Sequence, residues 1–476
     1  MPTAVVVGGG VAGLVAALAL RPLGYDVQVL DREADAAPES VDRANSDWVR
    51  PTVPQALHSH SFTSLGIGLL RDRDPGVYDA LLRAGAEEID LRSVAPPALR
   101  ESLPDMDDTE LLALACRRRT FDSVLATTAR RSGVVVRHDV TVRGVELSEM
   151  DIPRVTGVRL ADHGTLAADL VLDATGRHAE SRRWLTAAGI PVATDQAWPS
   201  EATVYTRFYR RLGAQWPGLL NRGNAGGGIF GHYMAFVHPG DNGTFSVSIG
   251  VLPDDPVLKA VRGEAAFAAV LAATPLLAPW IAEGASEPIS PVYAINAPKN
   301  TVRGVATTRQ RPVHGLFQLG DAACTTNPLY GRGVSLAVAH AYQLADVLAG
   351  TPEVGEKQSI LAAELTETLL VPWVHQAADD DLERIRVWRT AVHGEQFPPL
   401  DADRLGLAAA ARASFFDAEV WYRLARVLMS LGRPEHFYGD PALRARVRAA
   451  LDGRTLPAVP APGRAELVEV IEEAGR

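Results

Sequence analysis

The sequence predicts a mixed α/β and α+β fold: a discontinuous Rossmann-like nucleotide-binding domain, an antiparallel-sheet domain and a C-terminal helical region. Three observations support this prediction. Residues 3–30 have the pattern of strand, helix and strand, which is a βαβ unit. Residues 190–308 contain short strand-like segments divided by turns. From residue 351 onward the pattern is helical and rich in Ala, Leu and Arg.

The composition is that of an ordinary globular protein. The chain has 476 residues, of which 47% are hydrophobic and 22% charged, and its formal net charge is -10. Since it has no long basic run, we expect no nucleic-acid partner. Cys116 and Cys324 lack metal-ligand spacing, so we expect no metal site and no disulfide framework, which suits a cytoplasmic location. No stretch reaches the ~20 apolar residues of a membrane span.

The order of elements predicts the domain boundaries. We expect the nucleotide-binding domain at 1–188 and 307–350, with 75–112 as a candidate contribution to the substrate domain at 189–306, and helices over 351–476. Residues 38–61 lose periodicity and are rich in Pro and polar residues, which predicts a long loop that covers a ligand. A buried strand predicted at 316–323 returns the chain to the first domain.

A glycine-rich loop follows the first predicted strand. Residues 8–13, GGGVAG, contain G-x-G-x-x-G before a helix, and Asp31 ends the next strand. Such glycines let backbone N–H groups approach a pyrophosphate, and the acid accepts hydrogen bonds from a ribose. An ordinary Gly-rich turn is the alternative, and the motif alone leaves FAD and NAD undecided. A second match at 226–231 lacks a following helix and predicts a flexible turn.

Two later segments resemble the class A FAD-dependent monooxygenases, which have the para-hydroxybenzoate hydroxylase-like fold. Residues 169–177, DLVLDATGR, are similar to a strand and loop of that family, and Gly320-Asp321 with NPLYGRG at 327–333 resembles its GD motif. The resemblance implies that Asp321 binds the ribityl chain of FAD. It also implies that the loop from Pro328 to Gly333 lies against the isoalloxazine ring, with a helix N-terminus at the N1/O2 edge. The alternative for Asp321 is a helix N-cap.

Residues 50–60, RPTVPQALHSH, are similar to a loop of actinomycete-type hydroxylases and epoxidases. The likeness implies that Arg50 and His58 contact FAD, although His58 and His60 have the alternative of capping the next helix. Arg118 matches an arginine that contacts FAD, whereas a solvated face is the alternative for Arg117 and Arg119. The candidate FAD-binding residues are Gly8, Gly10, Val11, Ala12, Gly13, Asp31, Arg32, Arg50, His58, Arg118, Val142, Gly176, Gly320, Asp321, Pro328, Gly331, Gly333 and Val334.

The resemblance also implies the reaction. NAD(P)H serves as a transient reductant, and O2 forms a C4a-hydroperoxyflavin that hydroxylates or epoxidises an apolar or aromatic substrate of secondary metabolism. No catalytic side chain is nominated, and Asn327, Pro328 and Gly331 mark the loop beside the flavin. The alternatives are an FAD reductase or dehydrogenase acting on C=C or C–H bonds, a flavin-dependent halogenase, and a non-enzymatic FAD sensor. The Trp-x-Trp-x-Ile-Pro motif of the halogenases is absent.

Aromatic residues of the second domain are the candidates for a small-molecule substrate pocket. These are Phe230, His232, Tyr233, Phe236 and Tyr293. Strand alternation places Phe230, His232, Met234 and Phe236 on one face and Tyr233 on the other, so both sets cannot line the pocket. Plain core is the alternative. The C-terminal region has three open roles: to close the site, to dimerise or to buttress the fold.

Overall fold

A computed structural model describes residues 1–105, 107–221, 223–399, 405–454 and 461–476. In chain order, the strands β1 to β19 are Thr3–Val7, Asp26–Leu30, Glu87–Asp90, Leu112–Ala115, Val135–Arg137, Val142–Leu147, Val155–Leu160, Thr165–Ala167, Leu170–Asp173, Gln196–Trp198, Thr203–Arg211, Gly226–Ile229, Met234–Pro239, Thr244–Val251, Ser286–Pro288, Tyr293–Asn296, Asn300–Val302, Leu316–Gln318 and Cys324–Thr325.

The helices α1 to α16 are Val11–Leu20, Val41–Ser46, Ser64–Arg73, Pro75–Arg83, Arg118–Arg131, Ser181–Ala187, Glu264–Ala273, Ala278–Ile281, Gly333–Gly350, Glu356–Leu369, Val371–His393, Leu407–Ala413, Ala418–Leu428, Pro434–Tyr438, Pro441–Leu451 and Arg464–Ala474. The mixed α/β fold class is confirmed, as is the βαβ unit at the start of the chain.

A five-stranded parallel sheet forms the nucleotide-binding part of the fold. Its strand order is β18-β9-β1-β2-β5, and all four pairings are parallel. The apolar side chains of α1 and α9, among them Val15 and Val338, bury one face of it. Trp184 and Val145 lie in the core on its other face. Because β18 comes late in the chain, residues far apart in sequence meet at the carboxyl edge of this sheet.

A six-stranded antiparallel sheet forms the second layer. Its order is β12-β13-β14-β11-β15, and β16 also pairs with β11. In β14 the residues alternate by type: Phe245, Val247 and Ile249 enter a core with α7, whereas Ser246 and Ser248 face the opposite way. One face of the sheet is therefore plain core and the other is free to form a site.

The structure corrects two local predictions. The predicted loop at 38–61 contains α2, which begins where Ser40 accepts a hydrogen bond from the Arg43 N–H. The predicted turn at 226–231 is wrong in its first half, since 226–229 form edge strand β12 paired with β13. A side chain at Gly227, whose φ is +115°, would lie 2.1 Å from the Ala235 carbonyl oxygen, so glycine permits this close pairing.

The C-terminal helices pack on three separate parts of the fold. Leu467 of α16 joins the core beneath the six-stranded sheet, and Met429, directly after α13, packs on the β3–β4 hairpin. Trp373 of α11 packs near β17 and β19. Residues 400–404 and 455–460 of the predicted helical region lie outside the described residues. Within the described residues, no helix is both long and apolar enough to cross a membrane.

Candidate active site

A cavity of about 520 Å³ lies between the two large sheets. One end is formed by loops that leave the carboxyl ends of β1, β2, β9 and β18, which is where open parallel sheets bind nucleotides. The opposite wall is the free face of the six-stranded sheet. The residues of this sheet that line the cavity are Val204, Met234, Phe236, His238, Ser248, Ile295 and Asn296.

The glycine-rich loop can take no larger side chains at two positions. A Cβ on Gly8, whose φ is +114°, would lie 2.3 Å from the Ala174 carbonyl oxygen, and one on Gly13 would lie 2.0 Å from the Gly8 carbonyl oxygen. Helix α1 then begins at Val11 with no side-chain cap and no acid in its first turn. Its first N–H groups therefore face the cavity without a partner side chain, which suits an anionic pyrophosphate.

Asp31 closes the nucleotide end of the cavity. It follows β2, is 7% exposed, and accepts a hydrogen bond from the Glu33 N–H at 3.1 Å. A Cβ on Gly9 would lie 2.4 Å from a carboxylate oxygen of Asp31, so the glycine allows the acid to approach the loop. This placement suits hydrogen bonds from the hydroxyls of an adenosine ribose.

Asp321 lies at the same cavity, beside the starts of α1 and α9. Burial raises the pKa of its carboxyl, against the lowering effect of Arg118 and other arginines. No described residue donates a hydrogen bond to this carboxylate, and α9 begins well after it, so the N-cap alternative is wrong. A free acceptor here suits the hydroxyls of a ribityl chain. Gly320 has φ +56° and lets the chain pass between Ala12 and Ala337.

A buried cluster of charges supports the loop at 50–61. Arg50 Nη1 donates to Asp122 at 2.5 Å, and Arg118 Nε donates to the same carboxylate at 2.7 Å. Two guanidinium groups thus share one carboxylate, which leaves a net positive charge at the cavity. The Nε of Arg50 is enclosed and has no hydrogen-bond partner among the described residues. An anionic ligand would complete this cluster.

Neither histidine of the loop caps a helix. His58 Nδ1 lies 2.9 Å from Thr206 Oγ1, and His60 Nε2 lies 3.2 Å from Arg118 Nη1, whereas α3 begins only at Ser64. Burial lowers the pKa of His58 to about 4. Burial and the charge of Arg118 lower the pKa of His60 to about 3. Both imidazoles are therefore neutral near neutral pH.

The loop at 326–333 forms part of the cavity wall. Pro328, Leu329 and Gly331 line the cavity, but Asn327 is 1% exposed and turns away from it. Gly331 has φ +65°, and a Cβ there would lie 2.7 Å from Ser61 Cβ. Helix α9 begins at Gly333 with no side-chain cap and no acid in its first turn, so its N–H groups are free for a flavin edge.

Most predicted cofactor-binding residues meet at this cavity. The two that do not line it are Gly13, which packs under Gly8, and Gly320, which lies behind Asp321. The solvated-face alternative is wrong for Arg117, which binds the buried Asp241 at 2.6 Å. It is also wrong for Arg119, which donates to the carbonyl oxygens of Asn45 and Trp48.

The five predicted substrate residues all lie in the described part of the chain, and only Phe236 among them lines the cavity. Tyr233 is fully enclosed in the opposite core, where its hydroxyl lies 3.0 Å from Thr274 Oγ1, and Phe230 packs against it. The His232 ring lies 5.0 Å from the Tyr233 ring and is tilted against it by 53°. Tyr293 lies on the cavity face of the sheet but outside the lining. The alternation fails before Met234 because a turn closed by Phe230 N–H and the Tyr233 carbonyl precedes β13.

Sequence reasoning missed His238, Ser246 and Ser248 on the cavity face of β13 and β14. The signal was present, since Ser246 and Ser248 alternate with buried Phe245 and Val247. Among the described residues, no group of His, Cys, Asp and Glu is arranged to hold a metal ion.

Comparisons with known proteins agree with this geometry. The family described as "FAD dependent oxidoreductase" matches residues 3–95. Kynurenine 3-monooxygenase of Salinispora tropica is 24% identical over 437 residues, which cover 86% of this chain and 83% of that protein. The crystal structure of a flavoprotein/dehydrogenase from Cytophaga hutchinsonii is similar with a TM-score of 0.58 at 14% identity, and the match covers 100% of both chains.

A second solved structure is PqsL of Pseudomonas aeruginosa, a probable FAD-dependent monooxygenase. Its TM-score is 0.55 at 15% identity, covering 83% of this chain and 100% of that one. The chain is an FAD-dependent oxidoreductase. Its fold is that of the class A FAD-dependent monooxygenases, so the resemblance drawn from the sequence motifs is confirmed. The uncapped helix N-termini, the free Asp321 carboxylate and the unpartnered Arg50 Nε all fit FAD.

Proposed function

We propose that this FAD-dependent oxidoreductase is a monooxygenase that uses NAD(P)H and O2 to hydroxylate or epoxidise an apolar or aromatic small molecule. The observation that supports it best is the continuity of the cavity, which runs from the glycine-rich loop past Pro328 to an enclosed sheet face. Oxygen transfer needs such a water-poor space next to the flavin.

The side chains of the sheet wall favour an apolar substrate. Val204, Met234, Phe236 and Ile295 contribute its apolar surface, and Leu329 adds to it from the loop side. This wall excludes water from the flavin side of the cavity and orients a flat or ring-shaped molecule by shape.

The chain's own residues hold the cofactor and tune its surroundings. Bound FAD supplies the electron transfer and the activation of O2. The free N–H groups at the start of α9 stabilise negative charge at the flavin edge, and Asp321 anchors the chain that links the ring to the phosphates. The Arg50–Asp122–Arg118 cluster contributes net positive charge towards the pyrophosphate side.

Two rivals of the monooxygenase remain worth testing. A halogenase is disfavoured because none of the three lysines, Lys259, Lys299 and Lys357, is among the described cavity-lining residues. A dehydrogenase or reductase would use the same FAD site, and the fold alone does not separate it.

Coupled measurements of NAD(P)H oxidation and oxygen uptake test the proposal. FAD-loaded protein is assayed with and without a panel of aromatic and alkene substrates. The proposal expects a substrate that stimulates both rates equally and yields an oxygenated product. A product that forms without NAD(P)H, or by reduction without O2, would instead identify a dehydrogenase or a reductase.

A further inference from the structure

The sheet wall of the cavity carries a set of uncharged polar side chains, here called the hydroxyl cluster: His58, Ser59, Thr206, Ser246 and Ser248. His58 Nδ1 lies 2.9 Å from Thr206 Oγ1, which lies 2.8 Å from Ser248 Oγ. Ser59 Oγ lies 2.7 Å from Ser248 Oγ and 2.8 Å from Ser246 Oγ. The five side chains therefore form one connected chain of hydrogen bonds.

Strand register brings these groups together. Thr206 of β11 pairs directly with Ser248 of β14, and His238 of β13 pairs with Ser246. Directly paired residues project to the same face of a sheet, so all four stand on the cavity side. Ser59 reaches them from the loop at 50–61, which lies over the sheet.

The hydroxyl cluster has one more polar hydrogen than its internal bonds use. Its four hydroxyls and one neutral imidazole carry five polar hydrogens, and four hydrogen bonds join them. Ser59 Oγ donates to Ser246 Oγ, so the donors must run from His58 through Thr206 and Ser248 to Ser59. The remaining hydrogen is therefore that of Ser246, which is not among the described cavity-lining residues.

The hydroxyl oxygens of Ser59 and Ser248 do line the cavity and each keep one acceptor site, so the cluster can accept a hydrogen bond from a ligand. Beside the cluster, the Nδ1 of His238 is enclosed and has no hydrogen-bond partner among the described residues.

No formal charge accompanies the cluster. Burial lowers the pKa of both His58 and His238 to about 4, so both imidazoles are neutral near neutral pH. Among the described residues, the sheet strands contribute no Arg, Lys, Asp or Glu to the cavity lining. A carboxylate or an ammonium group would lose its hydration here without a charged partner, whereas a neutral hydroxyl would exchange one hydrogen bond for another.

We propose that the hydroxyl cluster is a specificity-determining subsite that accepts a hydrogen bond from one uncharged hydroxyl group of an otherwise apolar ring substrate. The inference deepens the proposed function and relies on it for the role of the cavity. It assigns Ser59 and Ser248 to binding and orientation, because they hold one end of the substrate while the apolar wall of Phe236 and Ile295 contacts the ring.

Three probes of one skeleton test this subsite: naphthalene, 1-naphthol and 1-naphthoate. Binding to oxidised, FAD-loaded protein is measured near neutral pH, without reductant, by perturbation of the flavin absorbance. We expect 1-naphthol to bind about fivefold more tightly than naphthalene, as one hydrogen bond implies, and 1-naphthoate to bind more weakly than both. Because no turnover is involved, this outcome does not depend on whether the protein proves to be a monooxygenase.

Two variants test whether the hydroxyl cluster is the source of the tighter binding of 1-naphthol. In the double variant Ser59→Ala with Ser248→Ala, the affinity for 1-naphthol should fall to that for naphthalene, while the affinity for naphthalene stays the same. Ser286→Ala is the matched control. Ser286 lies on edge strand β15, outside the cavity lining, and its hydroxyl donates to the Trp280 carbonyl oxygen at 2.7 Å. Three results would each overturn the assignment. The first is that 1-naphthoate binds most tightly of the three probes, and the second is that 1-naphthol does not bind. The third is that the double variant loses the same affinity for 1-naphthol as for naphthalene.

Discussion

Asn327 and Asp381 are joined by a buried two-point contact, in which the Asn327 amide nitrogen donates to both carboxylate oxygens at 2.8 and 2.9 Å. Asp381 belongs to α11 and is fully enclosed. Asn300 donates to it at 2.7 Å, and Arg384 donates at 3.0 Å. The contact ties the loop at 326–333 to the C-terminal helices, which favours a buttressing role for that region.

Asp381→Asn should loosen this loop and partly uncouple NAD(P)H oxidation from product formation. The amide cannot accept from Asn327, Asn300 and Arg384 as the carboxylate does, so the loop should lose its fixed position beside the cavity. We expect more hydrogen peroxide per NAD(P)H oxidised, measured together with the melting temperature. Asp255→Asn is the matched control, because Asp255 is equally enclosed and binds Arg464 at 2.7 Å outside the cavity. Equal peroxide release from both variants would reduce Asp381 to a stabilising residue.

Asp31→Ala should weaken FAD binding by about 1–3 kcal/mol, the range for a buried group left without its partner. Asp31 lines the cavity beside the glycine-rich loop, where the proposed site takes the adenosine of FAD. We therefore expect a loss that is specific to FAD, because FMN lacks the adenosine. Fluorescence titration of the flavin measures both affinities. Asp26→Ala at the exposed start of the same strand serves as the control. Unchanged FAD affinity in Asp31→Ala would remove the acid from the cofactor site.

Gly331→Val should disturb the backbone beside the flavin ring. Its φ of +65° is strained for a β-branched residue, and the added Cβ would meet Ser61 at 2.7 Å. We expect the variant to keep FAD but to oxidise NAD(P)H with increased peroxide release. Gly24→Val is a control with a similar positive φ and open space around it, far from the cavity. Unchanged peroxide release per NAD(P)H oxidised in Gly331→Val would contradict this role of the glycine.

Stability should fall as the pH drops from about 6.5 towards 4, and His340 should account for part of the loss. Burial lowers the pKa of His340 to about 4, so the unfolded chain binds a proton in this range that the folded protein does not. One such group removes about 2 kcal/mol of stability at pH 5. In His340→Gln, denaturant unfolding at pH 7 and pH 5 should show a smaller difference than in the unchanged protein. An identical difference would contradict the burial of a neutral His340.

The cofactor end of the site could be predicted because its determinants are local. Gly8, Gly13 and Asp31 act within one strand-helix-strand unit, and the positive φ of Gly8 follows from the tight turn itself. The substrate side of the cavity could not be predicted, because its lining depends on the residue at which β13 begins. A turn ending at Tyr233 sets that start, and it places Tyr233 in the core instead of the pocket.

Contacts between distant segments were also beyond the sequence. Asp381 meets Asn327 only because α11 packs against β17 and β19, and no local pattern marks either residue as a partner. In the same way, Ser59 forms hydrogen bonds with Ser246 and Ser248 from the loop at 50–61. The sequence of this loop lacks periodicity and so gave no indication of its path. Tertiary packing, not local preference, brings these groups together.

The origin of the oxygen in the product tests the monooxygenase proposal most directly. Once a substrate stimulates NAD(P)H oxidation, the reaction is run under 18O2 in ordinary water, and the product mass is determined. We expect one atom of 18O in each product molecule, with one O2 consumed per NAD(P)H. A product that carries only oxygen from water, or that is desaturated or reduced without added oxygen, would contradict the proposal.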